Sequence, residues 1–374
     1  MSMQVVHAEK EPLVRIAKRA SISTKKAWLI RAVSLGCALI VCALLIFMLT
    51  KLNPLKVYSS MFKGALGTPR RTWVTLRDTM LLLCISIGLA PAFKMRFWNI
   101  GAEGQVLIGG VATAACMIYL GGKVPTIVLF LAMIITSTLC GAIWGLIPAI
   151  FKAKWNTNET LFTLMMNYVA IQITSYCVAL WENPFGSNSV GIIHPQTEWG
   201  WFPKLLGQQY LLNVIIVLAL TAAMFVYLKY TKQGYEIAVV GESENTARYA
   251  GINVRKVILR TMAISSGICG LAGFIAVSGA SHTISTNTAD GRGFTAIIVA
   301  WLSKFNAIVM VLFSFFLVFL DKGAVEIASK YGLNEYASEI IEGIILFFIL
   351  GSEFFINYRL IFRSAGKKAG KEVA

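Results

Sequence analysis

The chain is dominated by apolar runs of about twenty residues, the length that an α-helix needs to cross the hydrocarbon core of a bilayer. The first run covers residues 29–49, and similar runs recur along most of the 374 residues. Only 14% of the residues are charged, against about 25% in a soluble domain. So few charges cannot solvate the surface of a water-soluble protein of this size. The composition therefore excludes most soluble enzymes, disulfide-rich secreted scaffolds and disordered chains.

Counting the apolar runs predicts an all-α, polytopic membrane protein with about ten transmembrane segments, some of them short or broken. The predicted segments are 29–49, 72–93, 100–120, 125–151, 161–180, 211–229, 257–280, 293–303, 307–320 and 340–356. An even number of crossings places both termini on the same side of the membrane. We therefore predict a transmembrane domain at 29–356 between two basic tails, 1–28 and 357–374.

The net charge of +16 is concentrated at the ends of the chain. The two tails carry 11 Lys and Arg against three Glu, which is half of the net excess. Basic segments next to apolar spans are typical of cytoplasmic ends, so both tails are predicted to be cytoplasmic and nucleic-acid binding is not expected. Residues 51–71 are the exception, because alternation places this basic loop outside. Part of it is predicted to form an interfacial helix.

No pattern in the sequence indicates catalysis or a resident metal. The seven cysteines lie in or beside apolar runs without a CxxC pair, the three histidines are scattered, and no GxxxxGK[ST] phosphate-binding loop is present. We expect no cofactor in this chain.

The motif Asn99-Ile-Gly-Ala-Glu-Gly-Gln105 opens the third segment with two glycines among polar side chains. Irregular backbone at membrane depth is tolerated only where protein buries it or water lines it. An intramembrane carboxylate such as Glu103 is a functional candidate, but Glu103 also suits a helix N-terminus, whose dipole favours negative charge. The sequence leaves both interpretations open.

Asn167 follows the group Asn156-Thr-Asn-Glu-Thr160 and lies inside the fifth segment. A buried amide in a membrane helix either bonds a neighbouring helix or lines a path. Helix packing is the favoured interpretation.

The stretch from Gly234 to Val254 occupies the longest predicted cytoplasmic loop, 231–256. Residues 244–249 mix charge with alanine and are predicted to form a short amphipathic helix that ends at Gly251. An isolated helix of this length is marginal in water, so it is expected to pack on another element. The loop is either a solvated helix or a docking surface for a cytoplasmic partner.

Four motifs in order, NIGAEGQ, NETLFTLMMNY, GYEIAVVGESENTARYAGI and GRGFTAIIVAWL, resemble those of ABC importer permeases for nucleosides and simple sugars. These permeases belong to the ribose and branched-chain amino acid permease superfamily, in the branch paired with basic membrane lipoprotein receptors. The resemblance runs from about Thr72 to Glu353. One departure is the bulky segment Trp301-Leu-Ser-Lys-Phe305, which replaces a small-residue stretch.

The resemblance implies a multi-pass permease of the bacterial inner membrane that works with three kinds of partner. These are a cytoplasmic ABC ATPase, which would hold the ATP and Mg²⁺, an extracytoplasmic substrate-binding lipoprotein, and a second permease subunit or a second copy of this chain. The implied ATPase contacts are Gly234, Gly241, Glu242, Ala247, Arg248, Tyr249 and Gly251. The implied lining of the substrate path is Asn99, Glu103, Gln105, Asn167, Phe294 and Thr295.

Two other functions are weighed against this one. A secondary transporter driven by an ion gradient needs paired acids and bases in mid-membrane, for which Glu103, Arg31, Asp78 and Glu342 are the candidates. The same ABC permease role for riboflavin, a purine base or a branched-chain amino acid is the other alternative. A separate expectation concerns packing, because Gly267, Gly270 and Gly273 recur at three-residue spacing and would allow close approach of another helix.

Overall fold

The computed structural model describes residues 14–19, 22–51, 53–332 and 335–362. The elements in chain order are β1 (Val14–Lys18), α1 (Thr24–Thr50), α2 (Pro54–Leu66), α3 (Pro69–Lys94), α4 (Ala102–Leu120), α5 (Thr126–Trp155), α6 (Glu159–Leu180), α7 (Leu211–Tyr230), α8 (Lys232–Glu242), α9 (Glu244–Tyr249), α10 (Val254–Ala276), a π-helical turn (Val277–Ser281), α11 (Arg292–Leu302), α12 (Ala307–Tyr331), α13 (Glu335–Asn357) and β2 (Tyr358–Phe362). The chain is all-α apart from one short strand pair, as predicted.

All ten predicted segments are helical. Among the described residues, eight helices are long and apolar enough to cross a membrane, which confirms the prediction of a multi-pass membrane protein. The segment at 293–303 is α11, whose 11 residues extend only about 16 Å, or half of a hydrocarbon core. It is the short segment that the sequence analysis anticipated.

Two element boundaries differ from the prediction. Segment 307–320, which was predicted to end at residue 320, continues as α12 to Tyr331. Most of the basic loop 51–71 is also helical, and α2 is the helix predicted there. Its interfacial position stays a prediction. Both helical extensions contain charged residues. A search for apolar runs ends each span at such residues, although the helix continues.

The chain divides into two compact units, and the larger comprises residues 61–323. Within it α3 and α10 are the most buried membrane helices. The backbone of α10 lies against α4 and α5 at glycines. A Cβ on Gly270 would lie 2.3 Å from the Ser137 carbonyl oxygen, and a Cβ on Gly273 would lie 2.2 Å from that of Val106. The small-residue row therefore allows close helix approach, as predicted.

The long segment between α6 and α7 contains no helix and folds onto the C-terminal end of α10. Trp201 stacks on the His282 ring with centroids 3.8 Å apart, and the Ile193 amide donates to the His282 carbonyl oxygen. The Ser278 hydroxyl donates to the Gly200 carbonyl oxygen. Burial lowers the pKa of His282. The Trp201 ring and these hydrogen bonds thus anchor the loop to the helical core.

The smaller unit comprises residues 1–60 and 324–374. In its described part β1 and β2 pair antiparallel, with Val14 opposite Phe362. Arg31 in α1 bonds Glu353 in α13, Nε to Oε1, at 3.1 Å. The tails were predicted only as basic segments, and this strand pair is an addition to that prediction.

Candidate functional site

The backbone is interrupted between α3 and α4, where the glycine-rich motif lies. Asn99 and Gln105 are buried and bond each other twice, with Asn99 Nδ2 donating to Gln105 Oε1 at 3.3 Å and Gln105 Nε2 donating to Asn99 Oδ1 at 3.1 Å. Asn99 Oδ1 also accepts from the Gly101 amide. The two amide side chains therefore satisfy each other and fix the shape of the break.

Asn167 supports the same break from α6. Its Oδ1 accepts from the Gly104 amide at 2.9 Å, and its Nδ2 donates to the Ile100 carbonyl oxygen at 2.9 Å. Asn167 lies eight residues beyond the start of α6 at Glu159, which corresponds to about 12 Å along the helix axis. The first residues of α4 therefore lie deeper along the axis of α6 than the first residues of α6 itself.

Glu103, in the first turn of α4, binds the N-terminus of α11. Its Oε1 accepts from the Gly291 amide at 2.9 Å and its Oε2 from the Gly293 amide at 2.8 Å. A carboxylate at this position complements the positive end of the α11 dipole. Gly293 is required by the contact, because a Cβ there would lie 2.6 Å from Glu103 Oε2. Glu103 thus joins the first and fourth sequence motifs.

A buried ion cluster lies beside this contact and centres on Asp78 of α3. Arg77 Nη2 is 2.8 Å from Asp78 Oδ1, and Lys322 Nζ is 2.8 Å from Asp78 Oδ2. Arg292, the first residue of α11, lies 4.0 Å from Asp78 Oδ2 and 3.3 Å from Asp290. One buried carboxylate therefore links α3, α11 and α12. From the sequence Asp78 is a candidate without partners, and only the fold brings those partners together.

The C-terminal end of α11 packs on the α3–α4 break through aromatic rings. Trp301 stacks on Trp98 at 5.3 Å between centroids and meets the edge of Phe93 at 6.1 Å. Phe305 contacts Trp301 in turn at 5.4 Å. The bulky segment at 301–305 is explained by this contact.

Phe294 and Thr295 differ from the other predicted path residues in their exposure. Phe294 is 45% exposed, whereas Asn99, Glu103, Gln105 and Asn167 are all buried. Thr295 is partly exposed, and its hydroxyl donates to the Gly291 carbonyl oxygen. The exposed aromatic and hydroxyl groups of α11 therefore lie on a short helix held at its N-terminal end by Glu103 and the Asp78 cluster.

The loop predicted at 231–256 folds as the two helices α8 and α9. Ser243 caps α9 by accepting from the Thr246 amide, and Gly251 takes a left-handed conformation (φ 75°) after the helix end. Ala247 is fully buried, as expected for a short helix that packs on another element. Arg260 of α10 donates to Glu236 of α8 at 2.9 Å and fixes the pair of helices to the core.

The predicted ATPase contacts divide into two groups by burial. Gly234 and Gly241 are buried, and a Cβ on them would meet the carbonyl oxygens of Tyr227 and Lys94 at 2.4 and 2.2 Å. Ala247 is buried as well. The exposed members are Glu242, Arg248, Tyr249 and Gly251, and Tyr249 has 94% of its side chain exposed.

Glu103→Gln is expected to destabilise the fold by about 1–3 kcal/mol, because the amide nitrogen of glutamine cannot accept from a backbone N–H and a charge-assisted bond is lost. Thermal unfolding of the purified protein measures this. Glu182→Gln is the matched control, since Glu182 also accepts from two backbone amides, those of Gly186 and Asn188, but in an exposed loop. Equal shifts in melting temperature for the two variants would show that the buried Glu103 contact stabilises the fold no more than the exposed Glu182 contact does.

The chain belongs to the family described as branched-chain amino acid transport system / permease component, which matches residues 73–350. It is a transport subunit, and the matched region runs from α3 into α13. The resemblance in the four motifs is thereby confirmed at the level of the family.

Similar proteins carry related descriptions. The chain is 32% identical over 302 residues to the guanosine ABC transporter permease protein NupP of Bacillus subtilis, covering 79% of this chain and 85% of that protein. It is 27% identical over 323 residues to the glucose ABC transporter permease protein TsgB13 of Haloferax volcanii, covering 82% and 83%. Identity to the nucleoside ABC transporter permease protein NupB of Lactococcus lactis is 24% over 307 residues, covering 79% and 84%.

Proposed function

We propose that this chain is the permease subunit of an ATP-binding cassette importer of the inner membrane and carries a nucleoside across it. The observation that carries the proposal is the 32% identity to a guanosine permease across 79% of the chain, together with a nucleoside permease among the other relatives. The exposed chemistry of α11 supports a neutral polar substrate. A nucleoside base stacks on an aromatic ring, and its hydroxyl groups need neutral donors and acceptors rather than a counter-charge.

The substrate path is proposed to run along the exposed face of α11. Phe294 would contact the base and Thr295 a hydroxyl group. Three buried amides would support the path without lining it, because they hold the backbone break from which α4 starts. These are Asn99, Gln105 and Asn167. Glu103 would act in the same way, by fixing the N-terminus of α11.

The energy source is proposed to be ATP hydrolysis in a partner ATPase, which would hold the ATP and Mg²⁺. The α8–α9 pair lies at the C-terminal end of α7 and presents Arg248 and Tyr249 outward on α9. Movement of the ATPase would displace α8, and the Arg260–Glu236 bond would pass that displacement to α10. No covalent bond is made or broken in this chain.

Arg248→Glu with Tyr249→Glu is expected to abolish co-purification of the ATPase, because the change takes the net charge of α9 from 0 to −3 and removes its most exposed ring. The side chains are 67% (Arg248) and 94% (Tyr249) exposed, so the fold should persist. Lys154→Glu serves as the control, because it reverses the charge of an exposed side chain at the end of α5. Unchanged assembly and uptake in the double variant would remove α9 from the proposal.

The substrate-binding lipoprotein is proposed to dock at the opposite end of α7. A cleft of 540 Å³ there is lined by Arg70, Arg77 and Lys204 together with Trp73 and Tyr210. Arg77 lies over the Tyr210 ring at 5.1 Å. Cations at a surface on the far side of the membrane from α8 and α9, here called the coupling helices, suit an acidic protein surface. This would account for Arg70 at an outer position.

The substrate class is tested by competition in uptake assays on cells that express the complete importer. Unlabelled guanosine or another nucleoside is expected to suppress uptake of labelled guanosine, while glucose, riboflavin and branched-chain amino acids leave it unchanged. Phe294→Ala should raise KM with little change in the amount of protein. Absence of labelled guanosine uptake, together with uptake of labelled glucose that unlabelled glucose but not nucleosides suppress, would assign the chain to sugar import instead.

A further inference from the structure

A cleft of 200 Å³ lies where three membrane helices end, and all of its charged lining is basic. Lys94 is the last residue of α3, Lys229 lies in the last turn of α7, and Lys304 follows α11 directly. We call the space between them the lysine cleft. Its remaining lining includes Phe225, Phe305 and Asn306.

The three ammonium groups have no acidic partner among the residues that the structure describes. Lys94 Nζ donates to the Leu228 carbonyl oxygen at 3.1 Å, and Lys229 Nζ lies 5.2 Å from the centre of the Phe225 ring. Lys304 is exposed. Like charges around one small space repel each other, so an anion in the cleft would stabilise the arrangement.

The turn that carries Lys304 is conformationally strained. Lys304 (φ 50°) and Phe305 (φ 61°) are both left-handed, although neither is glycine. The conformation is held by bonds from their amides to the carbonyl oxygens of Trp301 and Ala300, at 3.0 and 3.1 Å. Such strain persists where the surrounding structure imposes it, and here it directs two consecutive side chains to the lysine cleft.

The N-terminus of α12 adds a second source of positive potential. Asn306 Oδ1 accepts from the Ile308 amide at 3.1 Å, and α12 begins at Ala307, which also lines the cleft. The positive end of the dipole of this 25-residue helix therefore lies beside the three lysines.

We propose that the lysine cleft binds the phosphate of an anionic phospholipid. Its place at the ends of α3 and α7 is the boundary between hydrocarbon and water, where basic pockets between membrane helices receive lipid head groups. The lining is mixed, with lysines for the phosphate and the Phe225 and Phe305 rings for the glycerol and the first carbons of the acyl chains. The lipid would lie beside the coupling helices, since Gly241 of α8 packs on the Lys94 carbonyl group.

The test is a titration of the purified full chain with dioleoyl phosphatidylglycerol, followed by native mass spectrometry. Each of Lys229→Gln and Lys304→Gln is expected to weaken binding about fivefold, which corresponds to about 1 kcal/mol per lysine. The double variant should lose more than either single variant, up to roughly 25-fold if the two effects add, because both lysines would share one phosphate. Lys304→Arg should retain binding, and Lys154→Gln, which removes an exposed charge outside the cleft, should leave it within twofold of the wild type.

Three results would overturn the proposal. They are equal losses in Lys304→Gln and Lys154→Gln, equal affinity for dioleoyl phosphatidylcholine, and binding of soluble glycerol 3-phosphate as tight as that of the lipid. The last would assign the cleft to a free phosphate compound. Thermal unfolding of every variant, measured in parallel, shows whether a loss of binding comes from the site or from the fold.

Discussion

Replacement of Asp78 by asparagine is expected to destabilise the folded permease by about 3–5 kcal/mol, the usual effect of removing one partner from a buried ion pair. Asparagine keeps the shape of the side chain and removes its charge. Lys322 and Arg77, each 2.8 Å from an Asp78 oxygen, would then be left without their buried counter-charge. Transport should fall as well, because Arg292 at the start of α11 loses part of its support.

Asp290→Asn is the matched control for this prediction. Asp290 also pairs with Arg292, at 3.3 Å, but its side chain is 68% exposed. An exposed pair contributes at most about 1 kcal/mol. The measurement is thermal unfolding of both variants in the same detergent. Combining Asp78→Asn with Lys322→Met should recover part of the loss, and an effect of Asp78→Asn as small as that of Asp290→Asn would show that the cluster does not stabilise the fold.

Gly270→Val is expected to prevent accumulation of folded protein, because two helices contact the backbone of α10 at this residue. A Cβ on Gly270 would lie 2.3 Å from the Ser137 carbonyl oxygen and 2.9 Å from Gly141 Cα. From the other side, a Cβ on Gly109 would meet the Gly270 carbonyl oxygen at 2.2 Å. Even Gly270→Ala must push backbones apart, at a cost of about 1–3 kcal/mol.

Gly351→Ala provides the comparison, since a Cβ there has no neighbour within 4 Å. In a helix this change is neutral or stabilises by up to about 1 kcal/mol. Yield of monodisperse protein and its melting temperature measure both variants. Similar behaviour of Gly270→Ala and Gly351→Ala would contradict the close packing of α10 on α4 and α5.

The membrane helices were predictable because burial in a bilayer imposes a length and a composition on each of them. All ten segments are helices, and even the short α11 was identified from its apolar residues. The predicted end of the segment 307–320 was wrong, because α12 continues through charged residues beyond residue 320. Hydropathy indicates where the hydrocarbon core ends, whereas a helix ends where its backbone hydrogen bonds end. The pairing of β1 with β2 joins residues 340 to 348 positions apart, which no local pattern indicates.

The candidate site was predictable in its parts but not in its connections. The amide groups of Asn99, Gln105 and Asn167 were identified by their polarity in apolar surroundings. Polarity alone does not distinguish a group that lines a path from one that bonds a neighbouring segment, and the structure places all three in mutual or backbone hydrogen bonds. Glu103 lies at a helix N-terminus, which was one of the two interpretations left open from the sequence, although that helix is α11 and not its own. Its role in the substrate path stays a prediction.

The coupling helices illustrate the same limit. The motif from Gly234 to Gly251 was identified as a unit, and its short terminal helix is α9. A partner can contact only those residues of the motif that do not pack on the core. The contact of Gly241 with Lys94 determines which face of α8 packs on the core. Only the fold separates the buried glycines from the exposed Arg248 and Tyr249.

The central claim, that ATP hydrolysis in a partner drives transport through this chain, is tested most directly by guanosine uptake into proteoliposomes containing the permease, its ATPase and the lipoprotein. We predict uptake that requires enclosed hydrolysable ATP, persists when ionophores collapse all ion gradients, and is lost in the Arg248→Glu, Tyr249→Glu variant. Uptake that continues without ATP and stops when the ionophore is added would contradict the claim and identify an ion-coupled transporter.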